Sequence, residues 1–213
     1  MTVVTLIRTM LTMVNICISE NSMTRARQAR SIRTRETLLS LAREKASAVG
    51  YGALRVEDIV SAAGMAKGTF FSHFKDKDAL MDILIAERLN ALLDGMETAP
   101  KFQSVADVVA GLMPYLAFIS SERYVFDLYL RLSGALKVEE IGEIAESLVR
   151  LDRILIEKLD REQFRQDVSP ELLSEGIQAF CISSIAFSFC ALHSSQNVEN
   201  RLETQLTAWL CPG

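Results

Sequence analysis

Within the twelve residues 66–77 stand Lys67, Thr69, Ser72, His73 and Lys77, all of them short or cationic hydrogen-bonding side chains. Phe70 and Phe74 are interleaved with them, four residues apart. On a helix that spacing buries both rings on one side and turns the polar set toward water. Such side chains match the donor and acceptor edges displayed in a nucleic-acid major groove. Lys77 falls in the first turn of the next helix, where the macrodipole disfavours a cation. A phosphate gripped by helix amides and ammonium together would explain it there, and a solvated lysine is the plainer alternative. Arg55, Gly68 and Phe71 complete the candidate set.

Short helices must position these groups. The pattern predicts a helix over 35–49, with Leu38, Leu39, Ala42, Ala46 and Val49 at helical spacing, stopped by Gly50-Tyr51-Gly52. A two-turn helix over 56–63 ends at Gly64, and another follows over 66–74. Two short helices around a tight glycine turn form a helix-turn-helix, and Gly64 is expected to take a positive φ so that the second crosses the first steeply. Asp76 is expected to cap a long helix reaching about Met96.

Charge separates the chain into two parts. Although the whole carries a formal charge of −4, residues 23–88 hold 12 basic and 8 acidic side chains, and residues 89–213 hold 10 and 18. A basic module favours a polyanionic partner, and an acidic one avoids it. Upstream, Arg25, Arg27, Arg30, Arg33 and Arg35 form a basic arm, read either as a solvated tail or as a phosphate or minor-groove contact.

Beyond Pro100 helices are expected over 104–120, with Pro114 inside, then 124–137, 139–162, 170–193 and 198–210. No segment alternates with period two. The fold class is therefore all-α: an N-terminal three-helix helix-turn-helix module followed by a larger helical domain. Residues 1–22 are read as a disordered or non-native extension, with translation starting at Met23. Residues 23–81 are assigned to the helix-turn-helix domain and 82–213 to the second helical domain.

Several chemistries find no support. None of Cys17, Cys181, Cys190 and Cys211 forms a Cys-x-x-Cys pair or clusters with His73 or His193, so no metal is expected and the thiols read as reduced and cytoplasmic. The apolar stretch 3–18 is interrupted by Arg8 and Asn15 and falls short of the ~20 residues of a span. Residues 176–198 lack charge, but their scattered serines and glutamines favour a buried helix over a membrane one. His193 lacks a nucleophile held nearby, and no phosphate loop or Glu-x-x-His motif occurs, so an enzyme is not expected and no cofactor is assigned.

The run from Gly50-Tyr51 through Asp58-Ile59, Ala63-Gly64-Met65, Gly68-Thr69-Phe70-Phe71, Phe74 and Lys77 to Leu80 resembles the TetR family of bacterial transcriptional regulators. The resemblance covers about residues 34–81 without gaps. It implies a homodimeric repressor, with 23–81 as its DNA-binding domain and 82–213 as its helical ligand-binding and dimerisation domain, released from a near-palindromic operator by a small-molecule inducer. It also implies that Lys67, Thr69, Ser72 and His73 face DNA and that Lys77 holds a phosphate. Arg55 and Ala66 stand where the family has capping Ser or Thr. At the second site this is expected to weaken the helix end by ~1 kcal/mol. Phe71 replaces a common Tyr, its ring packing on sugar or filling core. A helical ligand-binding or adaptor module without DNA function is the alternative.

In the acidic part, Met113, Tyr115, Phe118, Phe126 and Tyr129 are candidates for an apolar ligand site with two phenolic handles. Arg123 and Arg131 are read as reaching an anionic ligand or as solvated ion pairs. The 171–193 helix is apolar almost all round, so one side wants a partner. Ala179, Ser183, Ala186 and Phe187, with Leu206 and Trp209 of the last helix, are the expected faces of a four-helix dimer interface.

Overall fold

The computed structural model describes the backbone of residues 3–133, 141–190 and 197–211, with side chains from Arg25 onward. The described residues contain the helices α1 (Val3–Val49), α2 (Val56–Ala62), α3 (Lys67–Phe71), α4 (Lys77–Thr98), α5 (Val105–Ile119), α6 (Arg123–Leu132), α7 (Glu143–Lys158), α8 (Pro170–Ser188) and α9 (Val198–Leu210). None of them forms a strand, and the one extended pairing is an isolated bridge between Phe102 and Leu159. No single described helix is long and apolar enough to cross a membrane. Two helices stop short of expectation, α6 at Leu132 rather than 137 and α8 at Ser188 rather than 193, and His193 lies outside the described residues.

The first helix departs from expectation. It was to begin at residue 35, after an extension and a basic arm, but α1 is continuous from Val3. The physical reason is the absence of any breaker: neither glycine nor proline occurs before Gly50, and arginine is a good helix former.

Two compact units divide the chain. The first comprises Met1–Ala48 and Arg55–Lys75, the second Val49–Leu54 and Asp76–Gly213. In the first unit Leu38, Leu39, Ala42 and Ala46 of α1, Ile59 and Val60 of α2, and Phe70 and Phe74 are all buried. A Schellman motif ends α2: the Met65 amide donates to the Val60 carbonyl at 2.9 Å and the Gly64 amide to the Ser61 carbonyl at 3.1 Å. Gly64 sits at φ +63°. A Cβ there would meet nothing within 4 Å, so backbone conformation alone demands the glycine.

In the second unit the helix starts follow the sequence closely. Asp76 accepts from the Ala79 amide at 2.8 Å, Ser104 from Asp107 at 3.2 Å and Ser169 from Leu172 at 3.3 Å, with Pro170 opening α8. The start of α7 is capped from another helix. Its N-cap residue Gly142 has no side chain, and Asp82 of α4 accepts from the Glu143 and Ile144 amides at 3.0 Å each. A Cβ at Gly142 would run into that carboxylate. Arg150 of α7 reaches back to Asp94 and Glu97 of α4. The two buried serines of α8 are satisfied inside the unit: Ser174 donates to Asp152 at 2.6 Å and Ser184 to Gln205 at 3.0 Å. Their bonds explain how polar groups scatter along an otherwise apolar buried helix.

The turn 50–52 is held by one carboxylate. Glu122, at the N-cap of α6, accepts from the Tyr51 amide at 2.8 Å and from the Gly52 amide at 2.9 Å. Gly50 takes φ +88°, and a Cβ at Gly50 or Gly52 would press on that same carboxylate. Replacing Glu122 by Gln puts an amide donor against a backbone N–H. We expect a loss of about 2 kcal/mol, within the range for hydrogen bonds to charged groups, read as a lower urea midpoint with unchanged m-value.

Candidate nucleic-acid interface

A five-residue helix presents the candidate residues. Phe70 is fully buried and Phe74 nearly so, and their rings lie 5.3 Å apart. The Arg35 guanidinium of α1 covers the Phe74 ring at 4.7 Å. With that side fixed, Lys67, Gly68, Phe71 and Ser72 are exposed, and Thr69 and His73 are half-buried. The sequence-expected polar side is therefore the side in water. Arg55 is exposed at the N-cap of α2, and neither it nor Ala66 makes a side-chain capping bond.

The polar groups already have partners within the chain. Lys67 donates to Glu57 of α2 at 2.5 Å. The hydrogen bond and charge of Lys67 hold the Glu57 carboxyl below its ordinary value. Ser72 donates to the Thr69 carbonyl at 2.7 Å, which leaves its oxygen lone pairs for an incoming donor. Phe71 does not fill core: it is 49% exposed, with its ring edge-on to Phe70 at 5.3 Å.

Lys77 lies apart from this helix in the division of the chain. Its ammonium donates to the Gly52 carbonyl at 2.9 Å and sits 4.5 Å from the centroid of the Tyr124 ring. Burial pulls its pKa down, against the opposing pull of Asp78 and Glu122. So the cation in the first helical turn has a protein partner of its own, with donors to spare. Asp78 in turn accepts from Tyr124 at 2.7 Å and from Arg131 at 2.8 Å. Nothing in the sequence pattern announced Glu122, Tyr124 or Asp78, since they meet across 46 to 71 positions of chain.

The expected ligand residues do not form one wall. Tyr115 and Tyr129 are buried, their rings meeting edge-on at 6.4 Å. Cys181 is their electrostatic neighbour, and burial pushes its thiol up to about 12. Burial likewise raises both phenols, so they remain donors. The Tyr115 hydroxyl is shielded from solvent with no hydrogen-bond partner at bonding geometry. Phe118 instead packs on Tyr51 at 5.7 Å, and Phe126 stacks on Phe189 at 5.6 Å. Met113 is half-buried. Arg123 pairs with Asp127 and Arg131 with Asp78, the solvated-pair reading of both.

Of the expected dimer residues, Ala179 and Ala186 are exposed and Ser183 and Phe187 half-buried. Leu206 requires correction: it is 0% exposed, packed wholly within its own unit, because the apolar side of α9 lies against α8 and α5. Trp209 is also engaged internally. Its indole lies against Gly176, where no Cβ would fit, and its Nε1 donates to the Leu173 carbonyl at 3.2 Å. Among the described residues no three His, Cys, Asp or Glu side chains come together as a metal site.

The geometry defines a helix-turn-helix module followed in sequence by an all-helical domain. Residues 38–83 match the family described as bacterial regulatory proteins, tetR family. Curated protein sequences give no match. Among solved structures, the chain resembles Thermus thermophilus FadR, a TetR-family repressor in complex with lauroyl-CoA. Identity is 18%, coverage 82% of this chain and 92% of that one, and the TM-score 0.57. Bacillus subtilis FadR in complex with stearoyl-CoA is similar at 19% identity, 82% and 97% coverage and TM-score 0.52. Salmonella enterica GusR gives 19% identity, 84% and 95% coverage and TM-score 0.51. At these identities the likeness concerns the fold.

The Asp78 hub should be visible in the pH dependence of stability. Burial alone would raise its pKa, but hydrogen bonds from Tyr124 and Arg131 outweigh that and hold it below the ordinary value. A depressed carboxyl contributes stability above its unfolded pKa of about 4, and this is lost as pH falls through the lower folded value. Between about pH 5 and pH 3 the Asp78→Asn variant is therefore expected to lose less stability than wild type, as read by urea midpoints.

Proposed function

We propose that the chain is a ligand-responsive transcriptional regulator, a repressor that binds a near-palindromic operator as a homodimer in the cytoplasm. The observation that carries this reading is the five-residue helix, which turns Lys67, Gly68, Phe71 and Ser72 outward over a buried Phe70. In this reading α3 enters the major groove, and Lys67 exchanges Glu57 for a base acceptor. Thr69, Ser72 and His73 flank it, while Arg55 and the free donors of Lys77 take backbone phosphates.

The open side of α8 supports the dimer. Leu172, Ala179 and Ala186 are exposed seven residues apart along α8, so an apolar side chain and two small ones face a second copy, and the alanines allow it to approach closely. Leu206 has no part in that face. A small-molecule inducer would bind among the helices of the second unit, where Tyr115 and Tyr129 offer protonated hydroxyls in apolar surroundings. The acyl-CoA complexes of the two FadR structures favour an inducer with a large apolar part. By shifting α4 it would change the separation of two recognition helices whose half-sites are fixed, and so release the operator. No reaction is assigned to the chain.

Selection of bound DNA from a random pool by the full chain tests this. We expect a two-fold symmetric consensus and binding that weakens steeply with salt. Lys67→Ala should cost about 1–3 kcal/mol on the selected site, and Lys77→Ala should flatten the log–log salt slope by about 1. Glu57→Gln should tighten binding to random-sequence DNA, because Lys67 is then released, while the melting temperature stays unchanged. Recovery of no sequence, or binding indifferent to salt, would overturn the reading.

A further inference from the structure

The chain has ten phenylalanines, and Phe71 is the one that is exposed. It stands in the middle of the face that carries Lys67 and Ser72. A phenylalanine has no hydroxyl to offer a phosphate, so the backbone-contact role of a phenol is closed to it. What the ring presents is an apolar surface at a fixed angle. Behind it Phe70, fully buried, packs edge-on with an interplanar angle of 83°. At its side the Lys67 ammonium lies 6.0 Å from the ring centroid. The plate is thus held by core on one flank and bordered by a cation on the other.

In the major groove one base carries an exposed methyl group, thymine, and apolar side chains discriminate by covering it. We propose that Phe71 reads the C5-methyl of a thymine in each operator half-site, within two base pairs of the one met by Lys67. The spacing follows from the four positions between the two residues, a helical rise of ~6 Å, less than two steps of ~3.4 Å along the duplex. This rests on the DNA-binding reading above and goes beyond it by assigning a base and the atom that is read. Gly68, one turn before Ser72, offers no Cβ beside the plate, and nothing lies within 4 Å of where one would be. A thymine can therefore approach the ring without meeting a neighbouring side chain at that position.

The test uses the full chain and the duplex it selects from a random pool. Each thymine of that duplex is replaced singly by deoxyuridine, which removes the methyl and leaves every hydrogen-bonding group in place. Dissociation constants are measured at one fixed salt concentration. At one thymine per half-site the replacement should weaken wild-type binding about fourfold, the value of one buried methyl. Phe71→Ala should bind the parent duplex more weakly and show no further loss on that replacement. Phe71→Tyr, which keeps the ring, should retain the sensitivity. Equal melting temperatures for the variants exclude a folding effect. The inference is overturned if no thymine is sensitive, or if Phe71→Ala keeps the wild-type sensitivity. Salt-dependent binding would still stand in both cases, so the regulator reading survives them. Failure to select any DNA removes both.

Discussion

A helix of five residues has no stability of its own: closing its first turn fixes several dihedrals for a single hydrogen bond, and the cooperativity that rewards longer helices never arrives. What keeps α3 helical is the burial of Phe70, aided by Phe74 and by the arginine laid across it. Everything on the outward face inherits its direction from that anchor. Lys67, Gly68, Phe71 and Ser72 are outward because Phe70 is inward, and a helix has no third option at this length. The Schellman turn at Gly64 adds the entry angle, so backbone conformation and one aromatic side chain together orient the whole candidate interface.

The same economy of contacts governs the charged groups. Lys67 and Glu57 pair on the surface, both more than half exposed, and such pairs add little to stability. Their importance lies in occupancy: a cation that already has a partner binds only an acceptor good enough to replace it. Lys77 is similarly engaged, by a carbonyl and an aromatic face. Both lysines thereby discriminate against loosely placed anions.

Local structure was largely legible in the sequence. Helix caps at Asp76 and Ser104, the start of α8 at Pro170 and the bounds of α9 follow from side-chain chemistry that acts within four residues, and so does the polar side of α3. Two things escaped for physical reasons. Periodicity shows that Leu206 is apolar and faces inward, but it cannot tell a chain's own core from that of a partner. Glu122 looks like an ordinary surface acid, because its meaning comes from backbone amides 70 and 71 positions away. The length of α1 was missed for a simpler reason: a run of arginines was read as a tail although nothing in it breaks a helix.

The turn at 49–54 belongs with the second unit although both helices it joins belong to the first. The polypeptide therefore crosses from one unit to the other three times, not once. Cutting after residue 81 would sever a single peptide bond and yet strip the Tyr51 and Gly52 amides of their acceptor and Lys77 of its aromatic neighbour. The module that looks separable on paper is, in its wiring, completed by a carboxylate and a phenol it does not encode.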